Sequence, residues 1–464
     1  MNLLMESEIR FLKQKGQSLV LSLILMSFAA MTVLYSYNTA QLNIKSTKLQ
    51  HTADNTAYSI ATIAVRDFNF KAYTNRASVA NQVAVAQMVG LSSWFNMTER
   101  FTENACSALC WVPYLGQVIS AIRSGVGYAN QVVQPFTELM ITAENVILNI
   151  LRGSQQAIHY ASAVSSFTTA QQIVKANDSK AELSLVQNAQ LVNDIRNLWF
   201  TFQKQHNRDL QNRNNTQFTD FKAVIMDSRD PFSKERTYKL SSIWSQTIWP
   251  LRWKTQKAGG SELISNRNDA ETWTSMDTIG FHISKYRCSW SGCRWRGYSE
   301  IPIGWGATRS DYRANITRLG SSSLWGRSRG INKNSSKYVA YNQQKSGRYD
   351  GVQPFYGLSN SAAKKNHTDN IVVVVSKGQE DVRTTSSVDL AEKTIDPATK
   401  EKMLGDRLNS ISAAQAYYSR PNDLWTRPDS KHEYGNLYNP FWQARLSDTT
   451  NLERSTALAL TRLL

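Results

Sequence analysis

Residues Gly16–Ala40, GQSLVLSLILMSFAAMTVLYSYNTA, contain no charged side chain. As a helix this run spans about 37 Å, enough to cross a hydrocarbon core of about 30 Å with some tilt. Arg10, Lys13 and Lys15 precede it. The bias of basic residues toward the cytoplasmic side predicts that the N-terminus stays inside. On this reading Gly16 and Gln17 open the membrane helix, Leu21 lies within it, and Tyr35 and Tyr37 sit at the far interface. A cleaved signal peptide shares the basic flank, but its apolar region runs only about 7–15 residues. Here the helical pattern continues into Gln41–Lys48 with no Ala-x-Ala site. No second span is expected, because Ser107–Ile122 carries Pro113 and Gly116, and Ala143–Leu151 is short and carries Glu144. The expectation is a single-pass protein of the bacterial inner membrane, bound to lipid, with a cytoplasmic tail (1–15), a transmembrane helix (16–40) and a periplasmic bulk.

Beyond the membrane the helical period persists. Leu49, Ala53, Ala57, Ile60 and Ala64 share one face. These residues, with Asp54 beside them, suit close lateral packing of helices, and Val79, Val83, Ala86 and Gly90 repeat the spacing. An extended, pilin-like juxtamembrane helical region is expected over 41–112 and a helical domain over 113–220. The second contains an apolar stripe from Val132 through Phe136, Leu139, Ala143, Val146, Ile147 and Ile150 to Leu151. Residues 221–464 read as a mixed, irregular β-containing domain, so the fold class is α+β. Within it Ala223–Met226 and Asn370–Ser376 read as strands and Leu408–Tyr418 as a helix.

The four cysteines fall into two close pairs, Cys106 with Cys110 and Cys288 with Cys293. Local disulfides in an oxidising compartment are expected; a four-thiolate zinc site and unpaired buried thiols are the alternatives. The net charge of +17 calls for an acidic partner, lipid, protein or polymer. Cations concentrate in Phe281–Asp350, where thirteen Lys and Arg face only Glu300, Asp311 and Asp350. Tryptophans and tyrosines interleave with them, a mixture able to stack on bases or sugars while pairing with phosphates or carboxylates. Trp290, Arg294, Trp295, Arg296 and Trp305 are the contact candidates, for DNA or cell-wall polymer if this region acts as a binding module.

Three N-terminal stretches and a C-terminal one resemble the TadE/TadG-like proteins of Flp (tight-adherence) pilus assembly. Gly16-Gln17-Ser18-Leu19-Val20 opens the membrane helix after basic residues. Lys45, Lys48, Leu49, Gln50, Ala53, Asp54 and Ala57 follow the family's basic-Leu-Gln-x-x-Ala-Asp-x-x-Ala pattern. Arg66–Arg76 with Val79–Ala84, and the C-terminal Ala414–Tyr418 with Asn436–Leu446, look like the longer TadG-related proteins. The resemblance implies a non-catalytic, pseudopilin-like part of a fibre-assembly or secretion machine, with its other components as partners. Fibre subunits are cut after a Gly and carry Glu five residues later, where this chain has Leu21. The family's adhesive Asp-x-Ser-x-Ser metal site has its nearest counterpart in Asp227-Ser228-Arg229-Asp230-Pro231, which lacks the second Ser.

Catalytic motifs are not found. The six histidines are scattered, and no HExxH, Gly-x-Ser-x-Gly or phosphate-binding Gly-rich loop occurs. Neither an enzyme activity, a cofactor, a metal nor a small-molecule substrate is expected.

Overall fold

The computed structural model describes residues 17–183, 188–207, 216–240, 245–264, 271–311, 323–378, 381, 407–421, 424 and 426–462. Gly16 and the basic residues before it lie outside these, as do Tyr312, Arg313 and Arg318 of the basic region. In chain order the elements are α1 (Gln17–Leu109), α2 (Leu115–Asn177), β1 (Ala181–Glu182), α3 (Ala189–Phe200), β2 (Gln203–His206), α4 (Thr216–Asp227) and α5 (Pro231–Lys234). Then come β3 (Tyr238–Lys239), β4 (Gln246–Ile248), β5 (Leu251–Ile264), β6 (Thr272–Ser289), β7 (Gly292–Trp295) and β8 (Ser299–Arg309). The rest are α6 (Ser323–Ile331), α7 (Lys333–Tyr341), β9 (Gln344–Lys345), β10 (Phe355–Leu358), β11 (Ile371–Gly378), β12 (Arg407–Tyr418), β13 (Trp442–Ser447) and α8 (Asn451–Arg462).

Helix α1 is 93 residues long, about 140 Å. It contains no proline and a single glycine, Gly90, so nothing interrupts its hydrogen-bond ladder. It ends where Cys106 and Cys110 are joined, and Pro113 and Tyr114, with φ of 66°, turn the chain back. Gly116 is required by this close return, because a Cβ there would lie 2.0 Å from the Cys110 carbonyl.

Helix α2 runs antiparallel to α1 and turns polar residues toward it. Asn130 and Gln134 donate to Asn96 at 3.2 and 3.0 Å, and Gln155 donates to Thr74 and Asn75 at 2.7 and 2.8 Å. Lys48 approaches Asp178 at the far end, 3.9 Å away. The apolar stripe from Val132 to Ile150 therefore lies largely on the outer face of α2, because amide and hydroxyl side chains share the inner one with Ile141 and Leu148.

Two sheets sit on α1, one behind the other. The sheet nearer the apolar start of α1 has the order β1-β11-β12-β13, all antiparallel. Ile371, Val373 and Val375 of β11, with Ala414 and Ala416 of β12, form one core with Leu49, Ala53, Ala57, Ile60, Ala64 and Phe68 of α1. Residues from 49 to 442 share this core, so the sequence segments beyond the apolar start of α1 interlock. Leu408–Tyr418 is thus a strand and not a helix. Its alanines have helical propensity, but eight residue pairings with β11 and burial under α1 override it. The edge of β11 is closed by side chains at the start of α3. Asn188 and Asp194 accept from the backbone N–H groups of Val374 and Val372 at 2.9 and 3.1 Å.

The second sheet packs on α1 between about Gln82 and Asn104. Its path is β3-β5-β6-β8-β9, with β4 also on β5 and β7 on β6. The region expected to be irregular therefore centres on a long regular hairpin, paired from Leu251↔Lys285 to Ile264↔Thr272. Both of its faces are buried, and they carry Ser261, Thr274, Ser275, Asp277 and Thr278, so the apolar alternation that marks a strand is missing from the sequence. Gly306 lets β8 touch the helix backbone, since a Cβ there would lie 2.4 Å from the Ser93 carbonyl. Ala223–Met226, expected as a strand, belongs to α4, where Phe218, Phe221 and Ile225 fill one helical face. Helices α6 and α7 add Leu324 and Val339 to a core with Met276 and Ala307. The β2–β10 ladder, Phe355↔His206 to Leu358↔Gln203, links the two halves.

Candidate functional site

Three features carry chemistry: an exposed apolar helix at one end, a cystine hairpin toward the other, and buried ionic clusters between them. The first is the start of α1. Every described side chain from Ser18 to Leu34 is solvent-exposed, with Leu21 at 60% and Tyr35 at 74%. The first fully buried residue is Leu49, so about 45 Å of helix extends from the folded body before the core begins. One long apolar N-terminal helix, uncovered by the rest of the chain, is compatible with a single-pass membrane anchor.

The residues expected to pack laterally do not lie on that free part. Leu49, Ala53, Ala57, Ile60 and Ala64 are fully buried under the chain's own β11 and β12. Asp54 is half-buried and accepts from Gln50 at 2.9 Å, while Gln50 also donates to the Ile411 carbonyl at 3.1 Å. This stripe is therefore an internal packing face. Its small residues let the sheet approach the helix, and α2 adds Ala163, Ala170 and Val174 to the same core.

The second feature is the β6–β7 hairpin. Contacts run outward along α1 as Trp273 to Gln82, Asp277 to Ser93 and Ile303 to Asn104. The hairpin continues that direction and so points away from the anchor. Cys288 and Cys293 are joined across it as facing residues, and Trp290 at its turn is wholly exposed. Arg294 and Arg296 are exposed on β7 and just after it. Trp295 is half-buried beside Tyr286, ring centroids 5.4 Å apart, with the Arg252 guanidinium 4.7 Å over its ring. Lys254 lies 4.4 Å over Tyr298. Burial, with Lys239 and Arg252 nearby, holds its ammonium below the usual lysine range. Trp305 is not part of this group. It stacks on Tyr338 at 4.5 Å, where α7 covers the sheet. Cys106 and Cys110 form a separate bond at the end of α1, beside exposed Trp111 and Tyr114.

Sequence reasoning missed the buried ions. Lys71 is wholly buried and donates to Asp67 at 2.7 Å, to Gln203 at 2.7 Å and to Nδ1 of His159 at 2.9 Å. It also lies 4.5 Å over the Tyr356 ring. Burial pushes the Lys71 ammonium down to about 8 despite Asp67. Burial, and then Lys71, push His159 down to about 4, so its ring is neutral and accepts the lysine proton. The available signal was the four-residue spacing of Asp67 and Lys71, which puts them on one helix face. Because the folded value of His159 lies below the ordinary 6.5, its contribution is present above that pH and is lost as pH falls toward 4. Thermal unfolding of the full chain is expected to show a drop in midpoint over this interval. His159→Gln should flatten it, and an unchanged drop in that variant would remove the assignment.

The Asp227–Pro231 segment is a structural corner. Asp230 caps α5 by accepting from Phe232 N at 3.0 Å and Ser233 N at 3.4 Å. Arg229 donates to the Met226 carbonyl at 2.7 Å and to that of Ser261. Among the described residues no group of three or more His, Cys, Asp or Glu side chains converges as a metal site. Compared with known proteins, the chain matches no family model, no curated protein and no solved structure.

Proposed function

We propose that this chain is a non-catalytic, single-pass component of the bacterial inner membrane that serves a Flp/Tad-type pilus-assembly or secretion machine. Its N-terminus is cytoplasmic and its bulk periplasmic. The observation that carries the reading is the meeting of the two sequence stretches that resemble TadE/TadG-like proteins, which lie more than 300 residues apart. Gln50 donates to the carbonyl of Ile411 in β12, three residues before the C-terminal stretch. Asn69 donates to the Trp442 carbonyl at 3.0 Å and accepts from Trp442 N at 3.2 Å. Asn75 donates to the Leu437 carbonyl at 2.8 Å. The resembling residues thus meet in one module beside the membrane helix, to which the stretch between them adds β1 and β11 while also supplying the outer sheet. Leu21 in place of glutamate favours service to the machine over incorporation in the fibre shaft. The Trp290 hairpin, with its exposed arginines, offers the outward contact for an acidic protein or polymer.

Deleting the gene is expected to abolish surface fibres and adhesion, with recovery from the full-length gene but not from one lacking residues 1–40. Fibre number and adhesion unchanged by deletion would defeat the proposal.

A further inference from the structure

Helix α2 is inside out for a helix of a compact domain. From Leu115, alternating steps of three and four residues reach Val164, and every stop is apolar, alanine or glycine. This is an unbroken a/d repeat over seven heptads, about 70 Å of helix. None of these positions is buried, although the opposite face of the same helix buries Asn130, Thr137, Asn145, Gln155 and His159. Ile122, Phe136, Leu139, Val146, Ile150 and Val164 are exposed by roughly half to two thirds of their surface. With side chains of roughly 150–250 Å² each, the stripe leaves on the order of 1,000 Å² of apolar surface uncovered. A soluble monomer rarely exposes more than a few hundred Å² in one patch.

The geometry points to a second copy of this chain as the occupant: α2 helices of neighbouring molecules zip into a parallel, in-register coiled coil. Three observations select the copy over another partner. The hydrophobic period is 3.5 residues, which keeps one seam facing an identical partner along its whole length. Two such faces together reach the roughly 1,600 Å² of a standard stable interface. Flanking positions decide which partners are accepted. Here they carry no charge: Ile119, Val126, Val133, Met140 and Ile147 stand on one side, and Ala121, Tyr128, Pro135, Thr142 and Asn149 on the other. The charges between Leu115 and Val164 are Arg123, Glu138, Glu144 and Arg152, all at positions directed off the seam. No like-charge pair opposes self-association, and no charge pattern selects a different chain. Anchors inserted in the same direction set the helices parallel and at equal height. Gly125, Ala129, Ala143, Gly153 and Ala157 on the seam admit close approach. The inference concerns assembly of this chain with itself; its parallel register rests on the membrane-anchor reading and not on the pilus reading.

The test is disulfide trapping of the full chain in its membrane. Cysteine is placed singly at Ile122, Ile150 or, as an outward control, Gln131. Oxidation is expected to give a dimer of twice the chain mass at both Ile122 and Ile150, at least tenfold above Gln131. An antiparallel pair cannot cross-link itself at both of these separated positions. The Leu139→Asp, Val146→Asp double variant should lower trapping at Ile150 at least tenfold with helix content unchanged by circular dichroism, since both side chains lie outside the chain's own cores. Equal yield at Gln131, trapping to a different protein only, or trapping unaffected by the double variant would each overturn the proposal.

Discussion

Replacing Asp277 with asparagine is expected to destabilise the outer sheet by about 3–5 kcal/mol, the cost of leaving buried cations without their counter-ion. Asp277 is fully buried and accepts from Arg236 through both oxygens at 2.8 Å, from Lys257 at 2.5 Å and from Ser93 of α1 at 2.8 Å. Burial alone would raise its carboxyl, but Arg236 and Lys257 outweigh it and hold the group below the ordinary carboxylate range. The neighbouring strand is built around this carboxylate: a Cβ on Gly259 would lie 2.2 Å from its oxygen. An amide at 277 keeps the shape but turns an N–H₂ toward donors. Hydrogen exchange should rise in β5, β6 and β8 while β11 and β12 stay protected, and the denaturant midpoint should fall. Replacing Arg236 and Lys257 by methionine in the Asp277→Leu background should recover much of the loss, because a buried triad can be exchanged for apolar packing at little cost. A loss under about 1 kcal/mol in Asp277→Asn would show that the cluster is better hydrated than its geometry implies.

The second large effect concerns attachment. The full chain is expected to remain with membranes through an alkaline wash and to keep its residues before Gly16. Arginine at both Leu25 and Phe28 should release it, since each charge near the centre of a span costs about 2.5–3.5 kcal/mol on insertion scales. The two side chains are 61% and 64% exposed and touch no core, so the substitution leaves the folded body intact. An N-terminal mass that begins beyond the apolar run would identify a cleaved leader. A wild-type chain found in the wash would show that the helix does not span.

The apolar start of α1 and the length of that helix were legible because both depend on local pattern: an uncharged run and a sustained helical period with no proline. Asn370–Ser376 was legible for the same reason, as four consecutive valines leave few alternatives to a buried strand. The cysteine pairs announce their bonds by proximity. What could not be read depends on partners distant in sequence. Ala413–Ala416 becomes a strand only because β11 lies beside it. The hairpin of β5 and β6 buries serine, threonine and aspartate, whose partners on α1 and on Arg236 are 20 to 190 residues away. Trp305 was grouped with the hairpin by proximity in sequence, although Tyr338 had already claimed its ring. The face of Leu49 and Ala64 carried a correct periodicity, but a period does not say whether the covering surface comes from the same chain.

The closure of the module beside the membrane also sets an order of events. Gln50 and Ile411 are separated by 361 residues, and Asn69 and Trp442 by 373. Synthesis begins at the N-terminus, so the α1 face carrying Leu49, Ala53 and Phe68 emerges early and stays open until nearly the whole chain exists. Such distant pairings form slowly because the intervening chain must first be gathered in. A chain ending before Arg407 would have its long helix and its outer sheet, yet would lack the β12 and β13 cover of that face. These strands therefore act as a completion signal: only a chain that includes them can hide the surface exposed by its first hundred residues.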